Sequence, residues 1–88
     1  MIKRDITIIN ELGIHARPAG MIANVCSRFS CDIKLTKDGM EVNAKSIMGV
    51  MTLAAGKGSV IELTAHGSDE AEAVAAVAEL FARKFDED

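Results

Sequence analysis

The sequence predicts an α+β fold of two layers, in which a single β-sheet is covered on one face by helices. Three observations support this prediction. The spacing of apolar residues switches between strand and helix periodicity in the order β-α-β-β-α-β-α. Each predicted strand has one apolar face, and each longer predicted helix has one apolar stripe. Elements of this kind bury their apolar sides together when the helices pack on one side of the sheet.

The first strand and the first helix are indicated by different spacings of their apolar residues. Ile6 and Ile8 alternate with polar residues, which is typical of a half-buried strand. A loop over residues 10–13 follows, in which Gly13 is free to adopt a positive φ. The helix is predicted over residues 16–28, where apolar residues recur at helical spacing. The residues expected to face the core are Ala19, Ile22, Ala23 and Cys26.

The middle of the chain predicts a hairpin and a short helix. Asp38 and Gly39 are typical of a two-residue type I′ turn, which needs a positive φ at both central positions. Ser46 is a natural N-cap for a short helix over residues 47–53. The predicted turn fixes the strand register and places apolar residues opposite one another. The expected pairs are Lys37 with Met40, Leu35 with Val42, and Ile33 with Ala44.

The last third of the chain predicts a strand, a helix and an acidic tail. The strand turns Ile61, Leu63 and Ala65 inward, and His66 is expected to face solvent. Ser68 or Asp69 is expected to cap the last helix. Its apolar stripe is Val74, Val77, Ala78, Leu80, Phe81 and Phe85. Residues 86–88 are expected to form a solvated tail that binds no metal.

Composition limits the classes of function. The chain has 88 residues, 49% of them hydrophobic and 26% charged, with a net charge of −3, so we expect one domain over residues 1–88. No Lys/Arg cluster dominates, which argues against nucleic-acid binding. The two cysteines, Cys26 and Cys31, lack metal-ligand spacing and are expected to be free thiols. No segment resembles a signal peptide or a membrane span, so we expect a soluble, cytoplasmic protein.

The chemically informative stretch is Gly-Ile-His-Ala-Arg-Pro-Ala-Gly at residues 13–20. Pro18 is tolerated in the first turn of a helix, so the helix should begin near Ala16, with His15 at or beside the N-cap. Free backbone amides and the helix dipole at that end attract anions. The guanidinium of Arg17 is suited to phosphate recognition. The local chemistry therefore suggests a histidine that carries, or lies beside, a phosphoryl group.

Residues 13–20 resemble the active-site signature of the HPr family, the histidine-containing phosphocarriers of the bacterial phosphotransferase system. A second block, Lys-Ser-Ile-Met-Gly-Val-Met at residues 45–51, resembles the regulatory-serine segment of that family. The spacing of the blocks and the chain length also agree. The resemblance implies an open-faced two-layer β-sandwich, with a four-stranded antiparallel sheet of order 1-4-2-3 covered on one face by three helices.

The resemblance also implies a function without metal or cofactor. His15 would accept a phosphoryl group on Nδ1 from enzyme I, which is itself phosphorylated by phosphoenolpyruvate, and would pass the group to EIIA-type domains. Arg17 would stabilise the phosphoryl oxygens together with the amides of Ala16 and Arg17. The implied docking surface for these partners comprises Arg17, Gly20, Ile47, Met48 and Met51. We accordingly expect a monomeric carrier rather than an enzyme.

Several alternatives remain open at this point. The resemblance implies that Ser46 is a phosphorylation site for an HPr kinase/phosphorylase, a site that only some lineages of the family use. Otherwise Ser46 would serve only as an N-cap. The chain could belong to the nitrogen-related branch, with a mainly regulatory output, or to the sugar branch. The element order is also compatible with a ferredoxin-like, ligand-sensing module, although no ligand motif is present.

Overall fold

The computed structural model describes residues 1–87 and contains four strands and three α-helices in the predicted order. The strands are β1 (Ile2–Thr7), β2 (Asp32–Lys37), β3 (Met40–Asn43) and β4 (Val60–His66). The helices are α1 (Ala16–Cys26), α2 (Ile47–Thr52) and α3 (Glu70–Ala82). A three-residue helical turn, Lys84–Asp86, follows α3 and is called the C-terminal turn below.

The sheet has the order β1-β4-β2-β3, and every neighbouring pair of strands is antiparallel. In β4, Leu63 lies opposite Arg4 of β1 on one side and Leu35 of β2 on the other. The order is the one that the resemblance to the HPr family implies, so this prediction is confirmed. The strand β1 lies at one edge of the sheet.

The hairpin between β2 and β3 has the predicted turn and register. Asp38 and Gly39 have φ values of 50° and 82°, as a type I′ turn requires. Lys37 pairs with Met40 and Leu35 with Val42. The register continues beyond the strand, because the amide of Ala44 donates to the carbonyl of Ile33 at 2.9 Å.

The core lies between the helices and one face of the sheet. The predicted inward residues of β2 and β4 are buried, as is the predicted stripe of α1. The helix α1 ends at Cys26 rather than at the predicted residue 28. The amides of Arg28 and Phe29 donate three residues back instead, to Val25 and Cys26, so the last part of the predicted helix forms tighter turns.

Asp69 occupies the N-cap position of α3, but its side chain does not cap the helix. Its carboxylate instead accepts the backbone amides of Ser30 at 2.8 Å and Cys31 at 3.0 Å, which lowers the pKa of Asp69. The predicted cap is therefore right in position and wrong in its bonding. Asp69 joins the start of α3 to the loop between α1 and β2.

The expectation of a solvated acidic tail is wrong for part of that tail. In the C-terminal turn, Lys84, Phe85 and Asp86 all have left-handed φ values, of 57°, 55° and 58°. The turn buries Phe85 completely, with its ring 4.9 Å from that of Phe81 in an edge-to-face arrangement. Glu87 is then carried back towards the start of α1, as described below. Asp88 lies outside the described residues.

Candidate functional site

His15 lies where the sequence predicts, at the N-cap of α1. Its backbone is extended, with φ −101° and ψ −166°, and its side chain is 39% exposed. The helix begins at Ala16, so Pro18 occupies the first turn, where the missing N–H has no helical acceptor. The imidazole is therefore accessible and placed at the positive end of the helix dipole.

The loop before His15 is held by three hydrogen bonds. The amide of Ile14 donates to the carbonyl of Ala55 at 2.8 Å, and the amide of Gly13 donates to the carbonyl of Asn10 at 3.2 Å. The Asn10 side chain donates in return to the carbonyl of Gly13 at 2.8 Å. Gly13 has φ +65°, and a Cβ there would collide with the Ala55 carbonyl and lie 2.7 Å from the Cα of Gly56. Only glycine fits this position.

Two backbone amides at the start of α1 are available to an anion beside His15. The first intrahelical bond runs from the amide of Ala19 to the carbonyl of His15, at 2.9 Å. Within residues 1–87, the amides of Ala16 and Arg17 have no hydrogen-bond acceptor. These are the donors that a helix N-terminus offers to phosphate.

Arg17 lies on the exposed surface of the first turn of α1. One guanidinium nitrogen, Nη1, donates to the carbonyl of Phe85 at 2.9 Å, and this bond anchors the side chain near the C-terminal turn. A guanidinium has five N–H donors, so most remain available for an anion. Arg17 thus supplies a cation in the first turn of α1, and its guanidinium is fixed by the C-terminal turn.

Glu87 approaches His15 from the C-terminus. Its Oε2 lies 3.3 Å from His15 Nε2 and accepts a hydrogen bond from Asn10 Nδ2 at 2.8 Å. Asn10 is only 1% exposed. Neither Asn10 nor Glu87 is among the site residues predicted from the sequence. A signal for Asn10 was present, because it continues the buried alternation of Ile6 and Ile8; Glu87 gave no comparable signal.

The cysteines, the second histidine and the acidic side chains of residues 1–87 do not form a second candidate site. No cluster of three His, Cys, Asp or Glu side chains within residues 1–87 could hold a metal ion. Cys26 and Cys31 are free and buried, and burial raises the pKa of the Cys26 thiol to about 12. His66 is exposed at the end of β4. None of the helices in residues 1–87 is long and apolar enough to cross a membrane.

Ser46 is the N-cap of α2, as predicted. Its Oγ accepts the backbone amide of Gly49 at 3.1 Å, and its side chain is partly buried. The neighbouring Lys45 donates from Nζ to the carbonyl of Phe29 at 2.8 Å, which ties the start of α2 to the loop between α1 and β2.

The residues of the expected docking surface are only partly brought together. On α2, Ile47, Met48 and Met51 are 49%, 79% and 44% exposed and present an apolar surface. Gly20 lines a shallow cleft of about 280 Å³ together with Ile47. Arg17 and Gly20 line a different groove, of about 550 Å³, between α1 and α3.

Comparison with known proteins places these features in context. A family model described as "PTS HPr component phosphorylation site" matches residues 2–83. The phosphocarrier protein HPr of Treponema pallidum is 48% identical over 88 residues, covering 100% of both chains. That of Cupriavidus necator is 47% identical over 87 residues, covering 99% of this chain and 98% of the relative. The crystal structure of HPr-C-His from Thermoanaerobacter tengcongensis matches with a TM-score of 0.95 at 45% identity, covering 100% of this chain and 99% of that chain.

Proposed function

The chain belongs to the HPr family and is a phosphocarrier of the phosphotransferase system, and on this premise we propose that His15 is the residue that carries the phosphoryl group. The observation that carries the proposal is the geometry around the ring. His15 is accessible at the N-cap of α1, next to the free amides of Ala16 and Arg17. The guanidinium of Arg17 is anchored on the C-terminal turn, the segment that also brings Glu87 to the ring. Phosphate is stabilised at such helix termini.

We propose that Nδ1 is the acceptor nitrogen. The other ring nitrogen, Nε2, faces the carboxylate of Glu87, and a carboxylate accepts a hydrogen bond from the protonated nitrogen. Nδ1 then has the free lone pair. Phosphoryl transfer requires mainly positioning and compensation of charge, which the two amides and Arg17 supply. The protein is then a carrier rather than a catalyst and needs no cofactor.

The proposed donor is enzyme I and the proposed acceptors are EIIA-type domains. Support comes from the family and from the exposed apolar surface of α2, formed by Ile47, Met48 and Met51. Methionine side chains adapt to partners of different shape. We include in this docking surface Gly20, which lines a cleft together with Ile47, and Arg17, which shares a second groove with Gly20. Association with each partner should be transient, with a small interface, and the working form is proposed to be a cytoplasmic monomer.

Phosphoryl transfer from labelled enzyme I tests this proposal. His15→Ala should abolish labelling by phosphoenolpyruvate and enzyme I. The control His66→Ala should be labelled like the wild type, because His66 is exposed at the C-terminal end of β4 and not at the start of a helix. Arg17→Ala should slow transfer with the fold retained. Normal labelling of His15→Ala would refute the assignment. Offering the phosphorylated protein to sugar-branch and nitrogen-branch EIIA domains would identify its acceptors.

We also propose Ser46 as a regulatory phosphorylation site for an HPr kinase/phosphorylase. The support is the match of residues 45–51 to the regulatory segment of the family, together with the location of Ser46 at the start of the exposed surface of α2. Incubation with such a kinase and ATP should label the wild type and Ser68→Ala but not Ser46→Ala. Label that persists in Ser46→Ala would contradict the proposal.

A further inference from the structure

We propose that Glu87 and Asn10 are positioning residues for His15, an inference that rests on the proposed role of His15 as the phosphoryl acceptor. Glu87 holds the ring proton on Nε2, and Asn10 holds Glu87 in place. Together they favour the neutral tautomer in which Nδ1 has a free lone pair, and they orient the ring for attack. Neither residue touches the phosphoryl group.

Glu87 is directed to His15 rather than to solvent. Its side chain is 16% exposed, and Oε2 lies 3.3 Å from His15 Nε2. The adjacent carboxylate behaves differently, because Asp86 bonds to Arg83 at 3.2 Å and is 53% exposed. A carboxylate accepts but does not donate a hydrogen bond when ionised, so the contact favours the tautomer with hydrogen on Nε2. Hydrogen bonding by one ring nitrogen in this way sets the role of the other.

The hydrogen bonds of Asn10 permit only one orientation of its side-chain amide. Its Nδ2 donates to the carbonyl of Gly13 and to the carboxylate of Glu87, each at 2.8 Å. Both partners are acceptors, so the amide nitrogen must face them. Asn10 is buried, and its Oδ1 has no partner among residues 1–87. An unpaired buried carbonyl is costly, so a residue chosen only for packing would be apolar.

The C-terminal turn delivers Glu87 to this position. Phe85 is completely buried, and its carbonyl accepts the Arg17 guanidinium at 2.9 Å. The chain is therefore fixed two residues before Glu87. Asn10 then fixes the carboxylate from the opposite end of the sequence, 77 residues away.

The proposed arrangement accounts for both directions of transfer. On uptake, the Nδ1 lone pair forms the new N–P bond while the bond between phosphorus and the carrying group of the donor breaks, and that electron pair stays on the donor. The proton on Nε2 does not move. On release, a lone pair of the acceptor forms the new bond to phosphorus while the Nδ1–P bond breaks and its electrons return to Nδ1. The ring leaves as a neutral imidazole because Nε2 keeps its proton. The carboxylate of Glu87 stabilises that proton throughout.

The full chain tests the inference by two measurements. Nitrogen-15 NMR of the His15 ring reports the tautomer, and initial-rate labelling from phosphorylated enzyme I reports transfer. Wild type should show one tautomer, with hydrogen on Nε2. Glu87→Ala and Asn10→Ala should show a mixture and should transfer about 3- to 10-fold more slowly, the effect expected for one lost hydrogen bond. Asp86→Ala, which removes the neighbouring carboxylate, should match the wild type.

A double variant distinguishes an effect of Asn10 that acts through Glu87 from two independent effects of Asn10 and Glu87 on His15. If Asn10 acts through Glu87, then Asn10→Ala should cause no further loss in the Glu87→Ala background. Unchanged tautomer and rate in Glu87→Ala would overturn the inference, and this variant leaves the buried core intact. Normal labelling of His15→Ala would instead refute the proposed function itself, so the two failures are distinguishable.

Discussion

The replacement Gly13→Ala should damage both the stability of the protein and the site at His15. Gly13 has φ +65°, and a Cβ there would meet the Ala55 carbonyl and the Cα of Gly56. The carbonyl of Ala55 is also the acceptor for the amide of Ile14, directly before His15. The added methyl group therefore collides with the atom that fixes the loop.

The magnitude follows from two contributions. A residue other than glycine in the left-handed region costs about 1–2 kcal/mol. A methyl group forced into a packed site costs about 1–3 kcal/mol more, because the backbone must move. The sum of about 2–5 kcal/mol is a large part of the roughly 5–15 kcal/mol by which a domain is stable. For a domain of this size it corresponds to a fall in melting temperature of roughly 10–40 °C.

Gly39→Ala is the matched control for this prediction. Gly39 has φ +82°, but a Cβ there would meet no atom within 4 Å. Its replacement should cost only the conformational contribution, about 1–2 kcal/mol. Urea unfolding of both variants, followed by circular dichroism, measures the difference. Equal losses of free energy in the two variants would show that the close approach of residues 55 and 56 has no energetic consequence.

Three further predictions concern other parts of the molecule. At pH 8, iodoacetamide should leave Cys26 unmodified in the native protein but modify it in urea, because burial raises the pKa of its thiol to about 12; modification of the native thiol would contradict this. Asp69→Asn should lower the free energy of unfolding at pH 7, and the deficit should shrink as the pH falls below about 4, the pKa of an unfolded Asp, towards the lowered pKa of the folded state. The sign follows because two loop amides lower the pKa of the Asp69 carboxyl in the folded state, so its stabilising effect is present above the unfolded pKa and is lost on protonation. A deficit that did not change with pH would argue against those bonds. Met48→Ser should slow transfer from enzyme I, whereas Met40→Ser, at a half-exposed methionine on β3, should not; equal rates would exclude α2 from docking.

The elements predicted correctly are those whose cause is local in the sequence. Pro18 fixed the start of α1, because its ring is tolerated only in the first turn. Asp38 and Gly39 determined both the turn and the pairing of Leu35 with Val42. The order of the strands has no local cause, since β1 lies beside β4, more than 50 residues later. It was predicted only through the resemblance to a family.

The predictions that failed depended on side chains that meet across long distances in sequence. The acidic residues after Phe85 indicated a segment exposed to solvent, because runs of like charge are usually solvated. The outcome for Glu87 was decided by Asn10 and His15, which no pattern near the C-terminus reveals. Asp69 was expected to cap its own helix, but it bonds to amides about 39 residues earlier. Local rules give a polar side chain its possible partners, and the fold selects among them.

The C-terminal turn explains why the tail and the phosphoryl site depend on each other. Three consecutive residues with left-handed φ, none of them glycine, cost about 1–2 kcal/mol each, or about 3–6 kcal/mol together. Burial of the Phe85 side chain contributes about 1.5–3 kcal/mol. The hydrogen bonds made by Arg17 and Glu87 add about 1 kcal/mol each. The balance is close to zero, so no single contact suffices to hold the turn. The position of Glu87 beside His15 therefore depends on the contacts of Arg17 and Asn10 together with the burial of Phe85.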